Sequence, residues 1–228
     1  MPRRKVLRHL AVCCLAALLL QAIPAKAEAG QAVTFDYEVR RDGEVIGYNR
    51  VVARPIDAGT GLQITFDSEL AVKFAFVTVY SFSHHRRELW RNGKMIQAVG
   101  RTDNDGDSQS FEIVAEADGY VRTINGHREA LAPERLPLTF WNLKTLKGHH
   151  AFFSVSDDRL IDVMIEFRGL AEAPWWHGEG PLAHYVISGD EEREIWFDKE
   201  NRLVRATFDS RGAEIEFRLS EASLAARP

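Results

Sequence analysis

The stretch Thr34-Phe35-Asp36-Tyr37-Glu38-Val39-Arg40-Arg41-Asp42-Gly43 decides the fold. Phe35, Tyr37 and Val39 alternate with Thr34, Asp36, Glu38 and Arg40, the period-2 pattern of a strand with one buried face. Asp42-Gly43 follows, a dipeptide in which both residues tolerate positive φ and so favours a two-residue hairpin turn. Val45 to Ala53 reads as the returning strand, stopped by Pro55, and Leu62, Ile64 and Phe66 resume the alternation. Asn92-Gly93, Asp118-Gly119 and Asn125-Gly126 mark three more hairpins.

The second half repeats the pattern. Ile161, Val163, Ile165 and Phe167 alternate with Asp162, Glu166 and Arg168. Three further runs, Glu194 to Phe197, Leu203 to Phe208 and Ile215 to Leu219, are separated by turns at Asp198-Lys199-Glu200-Asn201 and near Arg211-Gly212. About ten to twelve strands are expected, with few short helices, because no long 3.6-residue apolar period occurs. Strands joined by such short turns must be antiparallel. The fold expected is mainly β: a single antiparallel, strongly curved sheet or open half-barrel.

Three stretches depart from strict alternation. Leu70 to Phe82 is apolar at both parities and predicts a strand buried on both sides. Pro133 to Gly148 is a longer connection carrying Phe140, Trp141, Leu143 and Leu146, with room for one short helix. Glu172 to Pro181 holds Pro174-Trp175-Trp176-His177-Gly178, too apolar to lie wholly in water. No linker, repeat or low-complexity run divides the chain, so residues 28–228 are expected to form one β-rich domain.

Residues 1–27 read as a cleaved signal peptide. Arg3, Arg4, Lys5 and Arg8 precede an apolar run from Leu10 to Ile23, and Pro24 and Ala25-Lys26-Ala27 suit signal peptidase. The run is shorter than the roughly 20 residues that span a bilayer, so no transmembrane segment is expected in the mature chain. Export to the periplasm follows, by the Sec route in preference to the twin-arginine one that Arg3-Arg4 suggests. Cys13 and Cys14, inside the apolar run, do not suit lipidation. Removing this segment leaves 24 basic against 33 acidic residues, a net charge of −9. That balance argues against nucleic acid as a partner. Both cysteines leave with the signal, which excludes a disulfide, a Cys-bound metal or a thiol nucleophile in the mature protein. The composition, 45% hydrophobic and 27% charged, is that of a globular chain.

No Gly-x-Ser-x-Gly, His-Glu-x-x-His or Gly-rich phosphate loop occurs, so no catalytic residue is assigned and no cofactor or metal is expected. His84-His85 and His149-His150 are adjacent pairs whose members face opposite ways on a strand, and His127, His177 and His184 are isolated. Asp103-Asn104-Asp105-Gly106-Asp107 has the wrong spacing for an EF-hand, with Val114 at the twelfth position, and reads as an acidic hairpin tip. His85-Arg86-Arg87-Glu88 reads as a solvated strand end, with a cluster gripping an anionic head group as the sharper alternative. What remains is aromatic: Trp90, Trp141, Trp175 and Trp176 with Phe74, Phe76 and Tyr80. These either pack the core and anchor loops or wall a cavity for an apolar ligand, and they form the expected ligand-binding set.

Several motifs resemble a known family. Phe35-x-Tyr37-Glu38-Val39 with Asp42-Gly43-x-x-Ile46-Gly47 is similar to the opening of the exported bacterial family DUF6134. So are Val77-x-Val79-Tyr80 through Glu88-Leu89-Trp90-Arg91-Asn92-Gly93, Arg101-Thr102-x-Asn104-x-Gly106, and Leu136-Pro137-x-x-Phe140-Trp141-Asn142. More distantly, the hairpin around Ile195-Trp196-Phe197-Asp198 and Leu203-Val204 is similar to DUF3108 and to LolA/LolB-like lipoprotein carriers. Those carriers are open antiparallel half-barrels with helices plugging an apolar cavity, and clear plug helices are lacking here. The resemblance implies fold and compartment and transfers no catalytic residue. The leading expectation is a periplasmic protein that binds or carries a lipid-like or other apolar or amphipathic molecule. The alternatives are a docking module for an envelope protein and, behind it, a hydrolase or isomerase with an unrecognised site.

Overall fold

A computed structural model of the protein describes residues 31–141, 143–221 and 223. The expected signal peptide lies outside them. Fifteen strands form one sheet. β1 (Val33–Arg41), β2 (Glu44–Ile56), β3 (Gly61–Phe74), β4 (Val77–Arg91), β5 (Lys94–Asn104), β6 (Asp107–Glu116), β7 (Gly119–Ile124) and β8 (His127–Leu131) run as one meander. β9 (Leu136–Pro137), β10 (Ala151–Phe153), β11 (Leu160–Ala171), β12 (Leu182–Gly189), β13 (Arg193–Phe197), β14 (Leu203–Ser210) and β15 (Ala213–Leu219) form a second. β1 pairs with both β2 and β15, so the two meanders extend in opposite directions from the sheet's middle and end at β8 and β9. All neighbours are antiparallel except β9 and β10.

The strand count exceeds the ten to twelve expected. β8, β9 and β10 have five, two and three residues, too few for an alternation to be legible. The dipeptide turns sit largely where composition places them: both residues of Asp42-Gly43, Asn92-Gly93, Asp105-Gly106, Asn125-Gly126 and Arg211-Gly212 have positive φ, as the right-handed strand twist favours. Asp118-Gly119 is shifted by one residue, since Glu116 pairs with Gly119 and the turn falls on residues 117 and 118. The described residues also include one short helix, α1 (Leu143–Leu146), and one 3-10 turn (Asp57–Gly59).

Leu70 to Phe82 is not one strand buried on both faces. β3 ends at Phe74, Ala75 takes φ 54°, and β4 starts at Val77, paired back to Phe74. The pairing of β2 reaches β3 only up to Leu70, and that of β5 reaches β4 only down to Phe82. The hairpin between them therefore projects past its neighbours. Its apolar residues at both parities face solvent, with Phe76 fully exposed and Phe74 at 77%.

The sheet curls strongly. Arg86 on β4 and Arg193 on β13 lie six strand steps apart in the sheet order, about 29 Å if the sheet were flat, yet both line one small cavity. The sheet's two ends meet without pairing as strands. β8 and β9 are joined by residues 132–135, and the seam is made by side chains. Tyr120 on β7 packs on Phe153 of β10 with ring centroids 5.2 Å apart. Arg122, 2% exposed, donates to the carbonyls of Asp157, Asp158 and Arg159 and to Glu129. Gln109 Nε2 donates to the Ser156 carbonyl. An open sheet thus becomes a barrel-like enclosure held by hydrogen bonds across its gap.

Candidate functional site

The register sets three rows across the enclosed face of β1 to β7, since directly paired residues share a face. Phe35, Val51, Phe66, Arg86, Gly100 and Phe111 form the middle row. On one side run Tyr37, Asn49, Ser68, His84, Thr102 and Gln109, a polar belt. On the other run Val33, Ala53, Ile64, Glu88, Ala98, Ile113 and Arg122. The polar belt is internally bonded: Ser68 Oγ donates to Asn49 Oδ1 at 2.6 Å, and His84 Nδ1 lies 2.9 Å from Thr102 Oγ1. His84 is sandwiched between Phe82 and Phe111 with nearly parallel rings. Burial, with Arg86 and His85 adding repulsion, pushes its pKa down to about 3, so the imidazole is neutral near pH 7.

Arg86 and Glu88, both inside, are the unexpected pair. Half of the run His85-Arg86-Arg87-Glu88 is solvated, His85 and Arg87, but Arg86 is nearly buried and Glu88 has no exposed area. Glu88 Oε2 accepts from the indole N–H groups of Trp90 (2.7 Å) and Trp141 (3.1 Å). Arg86 Nε sits 3.0 Å from Glu88 Oε1, close enough for an ion pair but off the hydrogen-bond axis, so neither atom has a hydrogen bond. The guanidinium rests on the Phe66 ring, 4.0 Å from its centroid. Desolvation lowers the pKa of Arg86, with Glu88 opposing that shift.

Two cavities lie against these rows. One, of about 230 Å³, is walled by Tyr37, Asn49, Val51, Phe66, His84 and Arg86, by Leu138 to Trp141, by Ser154, Val155, Ser156 and Arg159 beyond β10, and by Glu191 and Arg193. The other, of about 560 Å³, is walled by Val33, Phe35, Ala53 and Ile64 on one side and Glu200, Asn201 and Arg202 on the other. They share Tyr37, Val51, Trp141 and Leu203 and therefore adjoin. The first is the more polar chamber. Its Thr139 Oγ1 and His84 Nε2 have no hydrogen-bond partner among the described residues, whereas Tyr37 donates to the Leu203 carbonyl. Glu191 is fastened by Arg193 and Arg159; burial alone would raise its pKa, but these two guanidinium groups hold it below the usual carboxylate range. The segment Leu138–Trp141, tethered through Trp141 to Glu88, forms one wall of the smaller cavity.

The seven aromatic residues expected at a ligand site are not gathered into one. Trp141 lines both cavities, and Trp90, 3% exposed, stands edge-on behind it with centroids 5.0 Å apart. Trp175 and Trp176 are together in the β11–β12 connection and line a separate pocket of about 380 Å³, where Trp175 meets Trp196 and the guanidinium groups of Arg205 and Arg218. Tyr80 lies beneath Arg211, while Phe74 and Phe76 form the projecting tip; all three stand away from the cavity walls described. The missed signal is the parity of β4. Phe82, His84, Arg86, Glu88 and Trp90 share one face, and apolar ends enclosing a polar middle place that middle indoors. Among the described residues no group of three or more His, Cys, Asp or Glu is placed to hold a metal ion, and no helix is long and apolar enough to cross a membrane.

Residues 37–220 match the profile of a family described as a domain of unknown function, DUF6134. The chain belongs to the DUF6134 family. That match takes in every residue walling the smaller cavity. No curated protein matches this DUF6134 chain in sequence. Among solved structures it is similar to a beta-barrel-like protein of the domain of unknown function DUF1849 from Brucella abortus, at 13% identity and a TM-score of 0.57. The likeness covers 82% of the DUF6134 chain and 95% of the other. At that identity it establishes a shared barrel-like architecture.

Proposed function

We propose that this DUF6134 protein is exported to the periplasm and binds or carries an amphipathic molecule in its half-barrel. One observation carries the reading: two adjoining cavities, the larger walled mainly by apolar side chains and the smaller by a mixed wall with unpartnered polar atoms. The larger falls within the roughly 300–1,000 Å³ typical of small-molecule sites. A tail in the larger chamber and a head in the smaller would meet matching surfaces in each. Titration with the neutral fluorophore N-phenyl-1-naphthylamine tests it. Saturable binding of one probe per chain is expected, weakened at least about tenfold by Ala53→Phe, which fills the larger chamber. No saturable binding, or binding indifferent to Ala53→Phe in a folded variant, would refute it.

A second reading is favoured by the β3–β4 tip, where Phe74, Phe76, Val77 and Val79 are exposed on a hairpin that reaches past the sheet. On this reading the tip docks on an envelope protein. A photo-crosslinker at position 76 should then give one discrete protein adduct in the exporting cell that a crosslinker at position 93, on the β4–β5 turn, does not.

A further inference from the structure

We propose that the Arg86 guanidinium is the receptor for a carboxylate head group on the amphipathic ligand. The inference rests on the cavity reading above and goes beyond it by naming the head group's chemistry. A guanidinium carries five N–H donors in a planar fork and is rarely left without acceptors when buried. Here its Nε has no hydrogen-bond partner among the described residues, since Glu88 Oε1, the ion-pair partner 3.0 Å away, lies off the hydrogen-bond axis. Arg86 is among the residues that wall the smaller cavity.

The group is also preorganised. Phe66 supports one face of the guanidinium. Its neighbour in the register, Gly100, lets the Phe111 ring pack directly on the β5 backbone, since a Cβ there would come within 2.4 Å of that ring and of the His85 carbonyl. Two further polar atoms on that wall, Thr139 Oγ1 and His84 Nε2, lack partners. His84 Nδ1 and Thr102 Oγ1 share one hydrogen bond, which leaves Nε2 as the ring atom free to meet a ligand, beside the Thr139 hydroxyl and the Arg86 guanidinium. Of the nearby acidic groups, Glu191 is held by Arg159 and Arg193 and Glu88 Oε2 by two indoles, while Glu88 Oε1 has no hydrogen bond and pairs with Arg86 through charge alone.

Charge and shape select among head groups. Arg86, Arg159 and Arg193 line the smaller cavity with Glu191 as the one carboxylate among the lining residues, while Glu88 and Asp157 pair with Arg86 and Arg159 from outside that lining, so the wall favours an anion but holds too little unpaired charge for a dianion. A singly charged, planar acceptor suits it, and a carboxylate pairs with a guanidinium fork through two parallel hydrogen bonds. A quaternary ammonium head would meet three guanidinium groups and one carboxylate, Glu191, that Arg159 and Arg193 already hold. The substrate class is therefore a long-chain carboxylic acid or an acyl conjugate ending in a carboxylate.

Displacement of N-phenyl-1-naphthylamine by dodecanoate, dodecanol and dodecyltrimethylammonium tests the assignment at pH 8. Dodecanoate should displace the probe at a concentration at least about tenfold lower than dodecanol, and dodecyltrimethylammonium should be weakest. Arg86→Met combined with Glu88→Gln removes both charges and should abolish the preference while the neutral probe still binds. Arg86→Lys keeps charge without the fork and should reduce the preference. Equal displacement by dodecanoate and dodecanol in the wild type would overturn the assignment, as would a preference undiminished in the folded variants. Loss of probe binding in the wild type would instead overturn the cavity reading itself.

Discussion

Replacing Arg122 by Met removes the clasp across the gap in the sheet while keeping an apolar stem of similar length. Arg122 on β7 is almost wholly buried and donates four hydrogen bonds, three of them to the successive carbonyls of residues 157–159 near the opposite edge. Hydrogen bonds from charged donors each contribute about 1.5–3 kcal/mol. The four are coupled, however, and the carbonyls of Asp158 and Arg159 belong to exposed residues that water can reach once the guanidinium is gone. The net cost is therefore about 3 kcal/mol, well below the sum of the parts. Urea denaturation monitored by tryptophan fluorescence should show the midpoint fall with the slope unchanged. Amide hydrogen exchange should accelerate first in β7 and in residues 154–159, as a local opening of the seam requires. A loss under about 1 kcal/mol, or exchange that is unchanged at the seam, would refute the idea that side chains close this barrel.

Other consequences follow from single residues. His84 has its pKa lowered from 6.5 to about 3, so below pH 6.5 the unfolded chain takes up a proton that the native one refuses. Stability present above pH 6.5 is then lost as pH falls toward 3, by about 2 kcal/mol at pH 5, and a His84→Gln variant should lack that increment when denaturation is compared at pH 7.5 and 5. Gly47 faces the β3 backbone so closely that an added Cβ would lie 1.9 Å from the Glu69 carbonyl oxygen; Gly47→Ala should cost about 2–3 kcal/mol in the same assay, and a cost near zero would contradict the β2–β3 register. At the projecting tip, Phe74→Ser with Phe76→Ser should change stability by less than about 0.5 kcal/mol and leave N-phenyl-1-naphthylamine binding unaltered, because neither ring touches the core or the cavities.

The fold was legible where alternation and turn chemistry agreed. Phe35, Tyr37 and Val39, followed by Asp42-Gly43, are enough to specify β1, its turn and its return. Strands too short to alternate, such as Leu136–Pro137, are held by their neighbours rather than by their own pattern. Ala75-Phe76 turns the chain without Gly or Asn, so the sequence of the β3–β4 hairpin resembles that of a buried strand; apolar residues at both parities are equally what an exposed, self-paired ribbon shows. The candidate site was legible in Trp141 and, through the alternative reading of His85-Arg86-Arg87-Glu88 as a cluster for an anionic head group, in the run that carries Arg86 and Glu88. Arg86 and Glu88 look like surface residues by type, and what marks them as interior is the company they keep at the same parity, Phe82 and Trp90. Their burial depends on β3, on the far meander and on the Leu138–Trp141 segment, contacts between residues distant in sequence that a local reading does not reach.

Native mass spectrometry of the protein, released gently from its own cells, tests most directly whether the half-barrel holds an amphipathic molecule. A one-to-one adduct is expected whose mass, after extraction, is that of a long-chain acid or acyl conjugate, and which Ala53→Phe abolishes. A homogeneous unliganded mass from the same gentle preparation, unchanged when dodecanoate is added in excess, would contradict the cavity reading.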